Sequence, residues 1–80
     1  MKMYLHVGKN MIIKKENIIG IFDYEEMKNN QTSSALLEKM KIINTSEGIE
    51  KSVVITKEGN EMIAYISNIS SVTLLKRNNI

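Results

Sequence analysis

The sequence predicts a small α+β domain: an antiparallel, strongly bent sheet of about five strands carrying two short helices. Three observations predict it. Short runs rich in Ile, Val, Met and Tyr recur between Gly, Asn and charged residues; one central stretch keeps helical spacing; and 80 residues without Pro, Cys or an internal repeat fit one domain spanning 1–80. A chain of this length buries only about 60 to 65% of the surface its unfolded form exposes, so its core is thin.

Met3-Tyr4-Leu5-His6-Val7 and Met11-Ile12-Ile13 are β-prone runs separated by Gly8-Lys9-Asn10, where Gly and Asn tolerate positive φ, and a hairpin follows. Asn17 to Phe22 is the third strand, reached through a turn at Lys14-Lys15-Glu16, with Gly20 marking a bulge or a close backbone approach. From Tyr24 to Ser33 the chain is polar and reads as a loop. Thr32, Ser33 or Ser34 then caps a helix whose Leu36, Leu37, Met40 and Ile43 form one apolar stripe.

Asn44 to Glu50 is a second loop pivoting at Gly48. Ser52-Val53-Val54-Ile55-Thr56 and Met62-Ile63-Ala64-Tyr65-Ile66 flank Lys57-Glu58-Gly59-Asn60-Glu61, the strongest hairpin signal in the chain. Ile69 to Arg77 reads as a C-terminal helix with serine caps, Ile69, Val72 and Leu75 on one face, and Lys76 and Arg77 in the last turn, where the helix dipole favours cations.

Several strands are apolar at consecutive positions rather than alternating, which asks for cover on both faces. Two short helices cover one face, and a second copy of the chain is the economical cover for the other. The sequence therefore predicts a homo-oligomer, with Ile19, Ile21 and Ile63 as interface residues.

The absence of cysteine excludes disulfides, thiolate nucleophiles and cysteine-based zinc sites, and fits a reducing, cytoplasmic setting. No apolar run exceeds five residues, against the roughly 20 needed to span a bilayer, so no membrane association is expected. His6 is the one histidine and reads as a strand residue making a local hydrogen bond. Asp23, Glu25 and Glu26 could hold Mg²⁺ in principle but read as a solvated loop edge. No serine sits in a nucleophile-elbow setting, and Gly8, Gly20, Gly48 and Gly59 are isolated, so no phosphate-cradling loop forms. Neither catalysis, nor a metal, a cofactor or a small-molecule substrate is expected.

The net charge of +2 is small but unevenly spread, basic at both ends and acidic between residues 21 and 50. Lys14, Lys15, Lys51, Lys76 and Arg77 are the candidates for contacts to nucleic-acid phosphates, which need cations on one surface rather than a fixed motif.

Tyr4-Leu5-His6-Val7-Gly8, then Ile18 to Asp23, Lys51 to Thr56, Tyr65-Ile66-Ser67 and Ile69 to Arg77 resemble, in order, the small bacterial regulators of the RemA/RemB family. The His-x-Gly start and the Ser-x-Thr-Leu-Leu-Lys-Arg ending look closer to the RemB type, while Tyr24 to Glu50 matches poorly. The resemblance implies a regulator of extracellular matrix and biofilm genes, and in RemA-like members a DNA-binding protein assembled as a ring. RemA-like members carry arginines just before the fourth strand and often near the start of the first helix. The matching stretches here, Gly48-Ile49-Glu50-Lys51 and Ser33-Ser34-Ala35, keep one cation between them.

Overall fold

A computed structural model describes residues 3–79. In chain order the elements are β1 (Tyr4–Gly8), β2 (Met11–Lys14), a single 3₁₀ turn (Lys15–Asn17), β3 (Ile18–Asp23), α1 (Tyr24–Asn29), α2 (Gln31–Glu38), β4 (Lys41–Asn44), β5 (Ser52–Glu58), β6 (Glu61–Ser67) and α3 (Ser71–Asn78). The class is α+β, as the sequence predicts. The expected single sheet is two: β1 and β2 form a ribbon of their own, and the others form a four-stranded sheet in the order β3-β5-β6-β4. Every pair is antiparallel except β4 with β6.

The consecutive apolar residues of β5 and β6 find cover within one subunit. On one face of the large sheet, Val53, Ile55, Ala64 and Ile66 pack under Met27 of α1 and Leu37 of α2. On the other, Val54, Ile63 and Tyr65 pack under Leu5, Val7 and Ile13 of the ribbon and Leu74 of α3. The sequence argument for a neighbouring subunit over this second face is thereby overturned: the chain's own first strands and last helix close it. Of the expected interface residues, Ile63 is 5% exposed inside that core, Ile21 is half-buried against it, and Ile19 is 56% exposed.

The ribbon is fastened where β1 ends. The Ser67 hydroxyl donates to the Val7 carbonyl, and the Thr45 hydroxyl donates to the Ile66 carbonyl at 2.8 Å beside it. Gly8 passes so close that a Cβ there would lie 2.7 Å from the Thr45 carbonyl oxygen, at a φ of 148° that side chains rarely adopt. At Gly20 the expected bulge is present, since the register slips between Ile18 and Gly20; what comes close to the bare Cα is the Phe22 ring rather than a neighbouring backbone.

The middle of the chain departs from the sequence reading. Tyr24 to Asn29 is helical rather than loop, because Asp23 ends β3 and its carboxylate accepts the Glu26 backbone N–H at 3.0 Å, capping α1. Asn30, not Thr32, Ser33 or Ser34, caps α2 by accepting the Ser33 N–H at 2.9 Å. The helix ends at Glu38, and Ile43, expected on its stripe, lies in β4 beside Tyr65.

In α3 the predicted serine cap is Ser70, which accepts the Thr73 N–H at 3.2 Å. The buried face differs: Leu74 is 0% exposed, while Val72 is 61% exposed and Leu75 stays largely open. The cause lies upstream. Ser52 donates to the Ile69 carbonyl at 2.7 Å and Ser67 accepts the Ile69 N–H at 3.0 Å, which fixes the angle at which the chain enters the helix and so the side that meets the core.

Candidate nucleic-acid interface

Lys14 closes β2 and Lys15 opens the 3₁₀ turn; Lys76 and Arg77 occupy the last turn of α3. Separated by about 60 residues, the two pairs meet in space. The Lys15 ammonium donates to the Arg77 carbonyl at 3.0 Å, satisfying one of the carbonyls that a helix end leaves over, and the Lys15 N–H donates to the Met3 carbonyl at 2.9 Å. Lys14, Lys76 and Arg77 are exposed, so four cations from two distant segments gather at one end of the molecule. The helix dipole adds to their tolerance of one another by favouring positive charge at the end of α3.

Lys51 does not join them. Its backbone ties β5 to the opposite end of the sheet, donating to Ser67 and accepting from Tyr24 at 2.8 and 3.0 Å. Ile18 stands opposite Thr56 and Asp23 opposite Ser52, so the two ends of β3 are separated by four residues of β5, on the order of 13 Å at about 3.3 Å each. Lys51 borders a hollow of about 260 Å³ that it shares with Asp23, Glu25, Ile49, Glu50 and Ser70. Three carboxylates against one ammonium make that end unattractive to a phosphate.

At the basic end of the sheet the Glu58 carboxylate is engaged inward. It accepts the Tyr65 phenol at 2.7 Å and the Thr56 hydroxyl at 3.0 Å. Burial, and then the bond to Glu58 with its charge, push the Tyr65 phenol up to about 12.

The sites weighed as catalytic or metal-binding have ordinary structural places. The His6 Nε2 lies 2.7 Å from the Lys9 carbonyl oxygen, the local hydrogen bond expected of it. Asp23 is engaged as a helix cap, and among the described residues no three His, Cys, Asp or Glu side chains stand close enough to share a metal ion. No helix among them is long and apolar enough to cross a membrane.

One feature escaped the sequence reading although its signal was present. Residues 4–7 and 11–14 alternate, with Leu5, Val7 and Ile13 turned to the core and Tyr4, His6, Ile12 and Lys14 turned to solvent.

The ribbon, the four-stranded sheet and the terminal helix with its cationic last turn make up a small α+β domain, and the chain belongs to the RemA-like family, the extracellular matrix regulatory protein A-like proteins, which it matches over residues 4–77. It is similar to extracellular matrix regulatory protein B of Bacillus subtilis (strain 168), with 33% identity over 76 residues, covering 94% of this chain and 89% of that protein.

Proposed function

We propose that this protein regulates extracellular matrix and biofilm genes by binding DNA as a cytoplasmic homo-oligomer, a ring in the manner the family resemblance implies. The observation that carries the DNA reading is the convergence of Lys14, Lys15, Lys76 and Arg77 on one end of the molecule, a multivalent cationic site built from two distant segments. Four phosphate contacts in one subunit bind weakly, and several linked subunits raise the affinity through effective concentration. Support for association comes from apolar side chains left in solvent: Ile19 on β3, and Val72 and Leu75 on α3. The protein acts by binding rather than by catalysis.

The test combines light scattering with DNA binding to a mixed-sequence duplex at increasing salt. The expected result is a mass that is a multiple of 9.1 kDa and a log-log slope near −3.6 for each engaged subunit, four contacts at about −0.9 each. A monomeric mass, or no binding at about 50 mM salt, rejects the corresponding half of the proposal. The second reading is a homo-oligomeric interaction module that ignores nucleic acid. It is favoured by Lys51, which stands among Asp23, Glu25 and Glu50 instead of extending the basic end.

A further inference from the structure

We propose that the outer face of the β1–β2 ribbon reads DNA bases by lying in the major groove, an inference that rests on the DNA-binding reading above. The ribbon is a sheet of its own whose inner face is committed to the core through Leu5, Val7 and Ile13. Its outer face displays four side chains in a two-by-two grid, Tyr4 opposite Lys14 and His6 opposite Ile12. Tyr4 is 54% and Ile12 59% exposed, so an aromatic and a branched aliphatic side chain stand in water on a face that leaves both largely open among the described residues. Together they offer a phenol, an imidazole, an ammonium and an aliphatic group within one ribbon's width.

Charge selects the occupant. Residues 1–15 contain four lysines, one histidine and no acid; the first acid is Glu16, in the 3₁₀ turn. Lys9 stands in the turn at one end of the ribbon, and Lys14 and Lys15 at the other, where Lys15 reaches the end of α3. Cations at both ends of an uncharged centre match a groove, whose floor carries base edges and whose two walls carry phosphates. Two strands about 4.8 Å apart fit a major groove about 12 Å wide. A second copy laid ribbon on ribbon would oppose lysines to lysines.

The chemistry of the grid suits base edges. A carbonyl can only accept, so the His6 Nε2 facing the Lys9 oxygen at 2.7 Å is the donor, and in that tautomer Nδ1 is the nitrogen that can accept from an exocyclic amine of cytosine or adenine. Ile12 presents methyl groups to a thymine methyl, and the Tyr4 hydroxyl both donates and accepts.

The experiment is in vitro selection from a library of duplexes with a random 20-base-pair core, run with the full chain and with a Tyr4→Ser/Ile12→Ser variant. Circular dichroism and light scattering establish that the variant keeps its fold and mass. The wild type is expected to enrich a motif. The variant is expected to bind duplex with an unchanged salt slope while its preference for that motif over a shuffled duplex falls at least tenfold. A variant that enriches the same motif with the same preference overturns the inference and leaves the DNA reading standing. A variant that drops in mass overturns it too, by making the face a contact between copies. A wild type that binds no duplex removes both readings.

Discussion

Leu74→Ala and Val72→Ala, made singly, test the orientation of α3, because the two side chains exchange their expected places between sequence and structure. Leu74 is fully buried among Leu5, Val7, Ile13 and Tyr65, and its truncation removes transfer energy and leaves a cavity, a loss of about 2–5 kcal/mol. Against a net stability of about 5–15 kcal/mol, and at the low end for so short a chain, that is a large fraction of the whole. Val72 stands in solvent and loses little, within about 0.5 kcal/mol. Urea unfolding followed by circular dichroism separates them: with a slope of about 1 kcal/mol per molar, the midpoint of Leu74→Ala falls by about 2 M or more and that of Val72→Ala hardly moves. Equal losses, or the larger loss at Val72, would refute the packing described for this helix.

Three further outcomes are expected. A Lys14→Glu/Lys76→Glu variant should lose DNA affinity by orders of magnitude and flatten the salt dependence, whereas Lys51→Ala, at the acidic end, should leave both nearly unchanged; a gel-shift titration at several salt concentrations reads this. Asn30→Ala should cost about 1 kcal/mol as a lost cap while Thr32→Ala costs little, measured by thermal unfolding. Because the Tyr65 phenol is raised to about 12 in the fold from 10 in the unfolded chain, the neutral form stabilises the fold; this contribution is complete below pH 10 and is lost as pH climbs through 12. Tyr65→Phe, which cannot ionise, should make stability flatter across that window.

The strands and hairpins were legible in the sequence because their signals are local. Gly8-Lys9-Asn10 and Gly59-Asn60 sit between β-prone runs, and Gly20 marks a bulge whose physical reason, the Phe22 ring, lies two residues away. The region between Asp23 and Asn44 was misread because its organisation depends on Asp and Asn caps that resemble loop residues in composition. Its last piece, β4, is a four-residue parallel edge strand that only β6 makes recognisable. The face of α3 was hidden for a similar reason, since the bond Ser52 donates to the Ile69 carbonyl and the one Ile69 N–H donates to Ser67 orient it. All four residues of the cationic site could be named in advance, along with Lys51, but which of the five group together could not. That Lys15 lies beside Arg77, and Lys51 beside Asp23, Glu25 and Glu50, follows from β3 and α3 running in opposite senses along the sheet.

The joint between Val7 and Ser67 links residues 60 apart, and Lys15 with Arg77 spans 62. The layer over Val54, Ile63 and Tyr65 is thus built from segments far apart in the order of synthesis. On a ribosome, β1 and β2 emerge before the sheet they lie on, and β5 and β6 emerge before α3, which helps to roof them. Closure of such long loops is slow, so the nascent protein passes through a stage in which the runs Val53-Val54-Ile55 and Met62-Ile63-Ala64 are open on one side. In that interval, before α3 can fold onto the sheet, these apolar runs are open to other chains.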